Sequence, residues 1–310
     1  MGRRKKGRPV DGWLIVDKPL GVGSTDVVSR ARWSLNARKA GHAGTLDPLA
    51  TGLLAVAFGE ATKTVPIASD GLKTYRFTVR WGVRTASDDL ETAPIATSDL
   101  RPDRDAIEAA LPAFRGDIMQ APPQFSAVKV DGERAYDLAR DGEAMELALR
   151  PLHMARLALV AMPDADHADF EMVCGKGGYV RAIARDLGEA LGCGAHVVAL
   201  RRTAAGPFDV AEAAVPYDTL ESYRDRPEAL PLLPVSAGLR DLPEVRVTPS
   251  AAADLRMGRE GAAHLAPADL QWGDAAWASC GGEAVAIGVW QGGRLQPTRV
   301  ILPPEVDAPA

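Results

Sequence analysis

The sequence predicts an α+β protein with a small β-rich module at its carboxyl end. The chain has 310 residues, enough for about two domains, and its 46% hydrophobic and 25% charged content is ordinary for a folded protein. Its candidate strands and helices do not alternate strictly, which disfavours a doubly wound parallel sheet. Four prolines between positions 227 and 243 indicate a linker, and the residues beyond them form short strands separated by glycines.

The amino-terminal part combines apolar strands with one helix. A strand is predicted at Gly12–Val16, followed by a loop rich in Pro and Gly and by a helix whose N-cap is Ser24 or Thr25. Leu53–Phe58 is predicted to be a buried strand. The clearest strand is Lys73–Trp81, in which large apolar residues alternate with Thr and Arg.

The clearest helix follows the turn at Gly175–Gly178. Its apolar residues recur at spacings of three, four, seven and eleven, from Val180 to Leu191, as on one face of an amphipathic helix. The other predicted elements are a helix over 103–111, a strand at Phe125–Val130, a helix at Glu133–Arg140, strands at Phe170–Cys174 and His196–Leu200, a helix at Ser250–Met257 and a strand at Glu283–Trp290.

Charge is distributed unevenly along the chain. The net charge is −5 overall, but it is +9 over residues 1–85 and −14 over residues 86–310. Residues 1–11 are expected to form a basic flexible arm that carries five cations, which either binds a polyanion such as RNA or serves as a solvated tail. Further cations on and just after the first helix favour an RNA-facing side: Arg30, Arg32, Arg38 and Lys39.

Several classes of protein are disfavoured. The three cysteines lie far apart and form no CxxC pair, which argues against disulfides and a zinc site and fits a reducing cytoplasm. No apolar run approaches the roughly 20 residues of a membrane helix, and none follows the basic start as in a secretory signal. The segment Gly21–Ser24 lacks the spacing of a nucleotide phosphate loop and is better interpreted as a turn that leads into a helix.

The segment Gly41–Gly52 is the most unusual part of the sequence, because glycines surround one His and one Asp. Asp47–Pro48 alone fits a helix N-cap with proline at the first helical position. The alternative is a carboxylate on a glycine-framed loop, available as nucleophile or base.

Arg181 also has two possible interpretations. It is either a solvated surface residue or a cation in the first turn of a helix that needs a nearby carboxylate or phosphate.

At this point the residues show a family resemblance. GHAGTLDPLATGLL (Gly41–Leu54) resembles the signature motif of the TruB-type tRNA pseudouridine synthases. The resemblance continues in family order across about residues 12–202, through VDKPLGVGST, KTYRF, PPQFSAVKVDG, KGGYVRAIARDLGEALGCGAH and LRR. One departure is Phe125, where the family often has Tyr.

The resemblance implies a fold and a domain organisation. The fold is a mixed, largely antiparallel central sheet flanked by helices, the pseudouridine synthase catalytic fold, followed by a PUA-like module. We therefore expect a catalytic domain over 12–240, with an RNA-binding insert at about 120–150, and a C-terminal domain over 241–310. The last domain has 5 Arg against 9 acidic residues, which disfavours a direct RNA role for it.

The resemblance also implies an activity and its residues. The activity is isomerisation of uridine 55 in the T loop of tRNA to pseudouridine, by a monomeric cytoplasmic enzyme without cofactor or metal, which acts on neither DNA nor membranes. Asp47, Tyr75 and Arg181 match the family's catalytic positions, and His42, Tyr179 and Leu200 match positions at or near the substrate. Three alternatives are a catalytically silent RNA-binding protein, a glycosidase and a guide-RNA-dependent member of the superfamily.

Overall fold

The computed structural model describes residues 7–126, 128–130, 132–141, 145 and 147–304. The strands are β1 (Gly12–Lys18), β2 (Ala40–His42), β3 (Thr51–Phe58), β4 (Lys73–Trp81), β5 (Val83–Thr85), β6 (Pro94–Thr97), β7 (Gly116–Gln120), β8 (Lys129–Val130), β9 (Glu133–Arg134), β10 (Arg150–Ala161), β11 (His167–Cys174), β12 (Ala195–Ala205), β13 (Phe208–Asp209), β14 (Val215–Pro216), β15 (Glu244–Val247), β16 (Gly261–Leu265), β17 (Ala275–Cys280), β18 (Glu283–Trp290) and β19 (Arg294–Val300).

The helices are α1 (Ser24–Ser34), α2 (Val65–Ala68), α3 (Arg104–Ala110), α4 (Ala135–Arg140), α5 (Val180–Ala190), α6 (Val210–Ala213) and α7 (Pro249–Arg256). Short 3₁₀ helices lie at Gly59–Lys63, Leu111–Phe114, Tyr217–Tyr223, Pro227–Ala229 and Val235–Leu239. Over the residues that the structure describes, no helix is both long and apolar enough to cross a membrane.

The chain divides into two compact units. The first unit contains residues 1–47, 53–71 and 205–310, and the second contains residues 48–52 and 72–204. The domain boundaries expected from the sequence follow chain order, whereas each of these units is built from separate stretches of chain.

The first unit has a small sheet and a separate barrel. In the sheet, β1 pairs in parallel with β14, and β2 pairs antiparallel with β3. Trp13 and Phe208 pack with ring centroids 4.9 Å apart in the core over this sheet. Strands β15–β19 close into a barrel around an apolar core, so the predicted β-rich C-terminal module is confirmed.

The proline-rich stretch 227–243 is not a solvated linker. Leu230 and Leu239 are buried, and Leu233 exchanges two backbone hydrogen bonds of 2.8 Å with Trp13 of β1. Prolines end regular elements, but the leucines between them supply enough apolar surface for the segment to pack against the first unit.

The second unit is built on the strand order β12-β4-β11-β10-β7. Strand β11 lies antiparallel to both β4 and β10, β10 is antiparallel to β7, and Thr51–Gly52 pairs in parallel with Arg201–Arg202. Helix α5 packs its apolar face on this sheet. The expected mixed, largely antiparallel sheet with flanking helices is therefore confirmed.

Two local predictions differ from the structure. Among the described residues of the strand predicted at Phe125–Val130, only β8 is a strand. The helix predicted from Glu133 begins at Ala135, because Glu133 and Arg134 pair with β8 as β9. A two-residue ladder leaves little periodic signal in a sequence, so the sequence pattern favours a longer strand followed by a helix over this hairpin.

The basic arm is described only in part. Arg3, Arg4, Lys5 and Lys6 lie outside the described residues. Arg8 is paired with the chain that follows α1: its N–H donates to the carbonyl of Asn36 at 2.6 Å, and its carbonyl accepts from the N–H of Arg38 at 3.0 Å.

Candidate active site

Asp47 lies on a loop of the first unit between β2 and β3. The loop leaves β2 with Ala43, whose N–H donates to the carbonyl of Ala55 at 2.9 Å. Residues 45–47 belong to no helix or strand, and Pro48 begins a turn that leads into β3. The helix N-cap interpretation of Asp47 is therefore wrong. The half-buried carboxylate is carried by a loop, as in the alternative that the sequence left open.

Ser24 does not cap α1 but binds the loop that carries Asp47. The N-cap of α1 is Gly23, and no side chain caps the helix there. The Ser24 hydroxyl donates to the carbonyl of Leu46 at 2.8 Å and accepts from the N–H of Leu46 at 2.9 Å. Both backbone polar groups of the residue before Asp47 thus bind one buried hydroxyl.

The structure explains why position 52 of the unusual segment is a glycine. Its φ is +98°, a left-handed conformation that favours glycine, and a Cβ at this position would overlap the carbonyl oxygen of Arg202 on the paired strand. A side chain here would force apart the parallel pair of Thr51–Gly52 with Arg201–Arg202. The glycine therefore allows Thr51 and Gly52 to pair closely with β12.

Tyr75 projects from the buried face of β4 in the second unit. The burial pattern of β4 alternates as predicted, and Tyr75 lies opposite Met172 of β11. It belongs to the core cluster that also contains Val180, the first residue of α5, and Leu200 packs against the same cluster. Tyr75, Leu200 and the start of α5 therefore all contribute to the same core cluster of the second unit.

Arg181 is buried, so the interpretation as a solvated surface residue is wrong. Only 6% of the residue is exposed. Its Nη1 donates to the carbonyls of Ser87 at 3.1 Å and Phe125 at 3.0 Å, and its Nε lies 3.5 Å from a carboxylate oxygen of Asp89. The need for an anionic neighbour is met by Asp89, a partner that no sequence motif indicates.

A second buried ion pair lies beside the first. Arg185 Nη1 is 3.2 Å from the carboxylate of Asp88, a residue with a left-handed φ of 60°. Burial raises the pKa of Asp88 to about 6, against the opposing effect of the Arg185 charge. No sequence motif indicates a role for Asp88 or Asp89. Their role becomes visible only in the structure, because the arginines that they contact lie almost a hundred residues away in the chain.

Tyr179 is positioned through its backbone by a residue that sequence reasoning missed. The buried side-chain amide of Gln120 accepts from the N–H of Tyr179 at 2.9 Å and donates to its carbonyl at 3.2 Å. A Cβ on the preceding Gly178 would lie 2.5 Å from the sulfur of Cys174. The entry to α5 is therefore fixed on both sides, while the Tyr179 residue itself stays half-buried.

The two other predicted substrate residues lie at strand positions. His42 is the last residue of β2, opposite Val56 of β3, and is half-buried. The carbonyl of Leu200 on β12 accepts a hydrogen bond from the Thr51 hydroxyl at 3.3 Å. His42 and Asp47 thus lie at the two ends of the segment that Ala43 and Leu46 anchor.

Comparison with known proteins points to one family. Residues 32–180 match the model of the TruB family pseudouridylate synthase N-terminal domain, and residues 181–238 match the tRNA pseudouridylate synthase B C-terminal domain. Three similar relatives carry the name tRNA pseudouridine synthase B. They come from Cereibacter sphaeroides (58% identity, 97% of this chain and 99% of that protein), Dinoroseobacter shibae (57%, 97% and 98%) and Agrobacterium fabrum (50%, 96% and 96%).

Similar folds occur in solved structures. An H/ACA ribonucleoprotein bound to a substrate RNA containing 2′-deoxyuridine matches with a TM-score of 0.74 at 23% identity, over 98% of this chain and 92% of that chain. A Cbf5-Nop10-Gar1 complex matches with a TM-score of 0.75 at 25% identity, over 98% and 92%. The family models cover most of the chain and the relatives nearly all of it; this chain therefore belongs to the TruB family of pseudouridylate synthases.

Proposed function

We propose that this chain isomerises one uridine of tRNA to pseudouridine, and that the uridine is position 55 in the T loop. One observation carries the proposal: relatives with 57–59% identity over 97% of the chain are named tRNA pseudouridine synthase B. In this reaction the N1–C1′ bond of the nucleoside breaks and a C5–C1′ bond forms. The uracil turns between the two steps. C5 then releases its hydrogen to solvent as a proton and N1 takes up a proton, so the product is an isomer of the substrate.

Asp47 is the proposed catalytic carboxylate. The ionised side chain attacks C1′, attacks C6, or removes a ribose proton, and each route needs a carboxylate at a defined position. A loop anchored at Ala43 and Leu46 supports this role, because it restricts the carboxylate without enclosing it in a helix. Arg181 is the proposed partner that keeps Asp47 charged and oriented, the role that the family resemblance assigns to it.

Tyr75 is the proposed platform for the uracil. A uridine stacked within a folded tRNA arm must be flipped out before it can react, at a cost of a few kcal/mol. Stacking on an aromatic ring offsets about 1–3 kcal/mol of this cost. The position of Tyr75 in a packed strand supports the role, since the ring direction is set by the core around it.

His42, Tyr179 and Leu200 are proposed to border the bound nucleotide. We further propose that the enzyme works as a cytoplasmic monomer on the T stem-loop. The insert at about 120–150 is proposed to contact the RNA and the barrel of β15–β19 to be PUA-like. The excess of acidic residues over 241–310 argues against strong phosphate binding by this barrel.

The proposal is tested with the purified chain and tRNA labelled with tritium at C5 of uridine. Wild-type protein should release tritium without any guide RNA, and chemical mapping should place the new pseudouridine at position 55. Asp47→Asn should abolish turnover while binding tRNA nearly as well, whereas the exposed carboxylate variant Asp225→Asn should behave as wild type. Turnover by Asp47→Asn would contradict its role, and a requirement for guide RNA would favour the alternative of a guide-RNA-dependent member of the superfamily.

A further inference from the structure

We propose that Ser24 is a positioning residue for the reaction, whose hydroxyl holds the backbone of Leu46 and so sets the place of the Asp47 carboxylate. The inference rests on the proposed function, because it takes Asp47 to be the catalytic group. Nothing in the sequence distinguishes this serine from an ordinary helix N-cap.

The geometry is unusual for a serine at the start of a helix. Such a side chain normally binds a backbone group of its own first turn. Here the hydroxyl acts as donor and acceptor toward one residue that lies 22 positions further along the chain. A hydroxyl has one proton and two lone pairs, so it can satisfy a carbonyl and an N–H at the same time.

The hydroxyl of Ser24 satisfies the backbone N–H and carbonyl of Leu46, which a paired strand would otherwise do. Leu46 belongs to no strand or helix, yet only 4% of the residue is exposed, so its backbone polar groups need partners inside the protein. Ser24 supplies both partners and is itself 6% exposed. Helix α1 holds Ser24 rigidly, because Val27 and Ala31 on the same side of the helix are completely buried.

The contact between Ser24 and Leu46 restricts the position of Asp47. Consecutive Cα atoms are 3.8 Å apart across a trans peptide, so fixing the backbone of Leu46 restricts where Asp47 can lie. The backbone contact of Ala43 with Ala55 is four residues away from Asp47. Without the hydroxyl, two buried backbone groups would lose their partners, and the loop would shift to reach water. A shift of about 1 Å at a reacting group costs on the order of 100-fold in rate.

The test compares Ser24→Ala with Ser34→Ala. Ser34 lies in the same helix and is also buried, but its hydroxyl donates to the carbonyl of Arg30 within the helix at 3.0 Å. Ser24→Ala should lower the single-turnover rate constant by about 10–100-fold and leave the dissociation constant for tRNA within about twofold. Ser34→Ala should change neither by more than about twofold. Equal single-turnover rates for the two variants would overturn the proposal.

Two further measurements separate positioning from folding. Hydrogen exchange at the amide of Leu46 should be faster in Ser24→Ala than in Ser34→Ala, because only the former removes its acceptor. If Ser24→Ala does not fold, Ser24→Cys provides a nearly isosteric side chain with a weaker hydrogen bond. It should react more slowly than wild type at an unchanged melting temperature, and a wild-type rate would overturn the proposal.

The outcome is distinguishable from failure of the proposed function. If Asp47→Asn keeps its turnover, the catalytic assignment is wrong regardless of Ser24. If Asp47→Asn is inactive while Ser24→Ala retains the full rate and the normal exchange at Leu46, only the positioning role is refuted.

Discussion

Replacing Arg181 by Met tests both the structural and the chemical role of this buried guanidinium. Methionine fills a similar volume without charge or hydrogen-bond donors. It would leave the carbonyls of Ser87 and Phe125 without the donor they now share, and the carboxylate of Asp89, which is only 6% exposed, without its cation. The substitution therefore breaks a buried ion pair from one side.

Removing one partner of a buried ion pair costs about 3–5 kcal/mol, because the remaining charge stays in a poorly solvated place. We expect the free energy of unfolding of Arg181→Met to fall by about this amount. Arg181→Lys should lose less, since it keeps a charge near Asp89 but cannot reach two carbonyls with one planar group. The matched control is Arg104→Met in the first turn of α3, whose exposed pair with Glu108 is worth about 0–1 kcal/mol.

Urea denaturation of the variants measures the structural role, and single-turnover tritium release with tRNA binding measures the chemical one. Arg181→Met should reduce the rate constant by at least about 100-fold, since misorientation of a reacting group has an effect of this size, with a much smaller change in affinity. A loss of unfolding free energy no larger than that of Arg104→Met would refute the structural reasoning. A variant that loses affinity but keeps its single-turnover rate would make Arg181 a phosphate contact instead.

Three further predictions concern other parts of the chain. Gln120→Leu should cost about 1–3 kcal/mol in urea unfolding, because it leaves the N–H of Tyr179 without its acceptor, while the carbonyl of Tyr179 keeps the N–H of Ile183 at 3.2 Å. The pKa of Asp88 is about 6 in the folded protein against 3.8 as its ordinary value. The native state therefore keeps a proton that the unfolded chain releases, and stability should decrease by up to about 3 kcal/mol as the pH rises from about 4 to 6. Asp88→Asn, which tolerates the left-handed backbone, should remove this part of the pH dependence, and an equal slope in both proteins would disprove the assignment. Deleting residues 1–6 should lower the salt dependence of tRNA binding by about 0.7 in log–log slope for each lost phosphate contact, and an unchanged slope would leave the arm as a solubility aid.

The regular elements near the site could be predicted from the sequence because their signal is local. Each of these elements buries one face in a core, and this produces a regular spacing of apolar residues in the sequence. Both elements form as expected, the strand at Lys73–Trp81 and the helix at Val180–Ala190. The motif Gly41–Leu54 identified the family, and its glycine at position 52 has a clear reason in the close approach of Arg202. The short hairpin β8–β9 could not be predicted, because two paired residues on each side leave no periodic pattern of apolar residues in the sequence.

By itself, then, the sequence determined the fold class, the main strand and helix of the second unit, and the residues to suspect. Only the tertiary structure decided what those residues touch. In the structure Arg181 contacts Asp89 rather than solvent. The backbone of Tyr179 is hydrogen-bonded to the side chain of Gln120, and the hydroxyl of Ser24 is hydrogen-bonded to Leu46 rather than to its own helix. The physical reason is that a polar side chain chooses among competing partners by distance and burial, and residues tens of positions apart become neighbours only once the chain has folded.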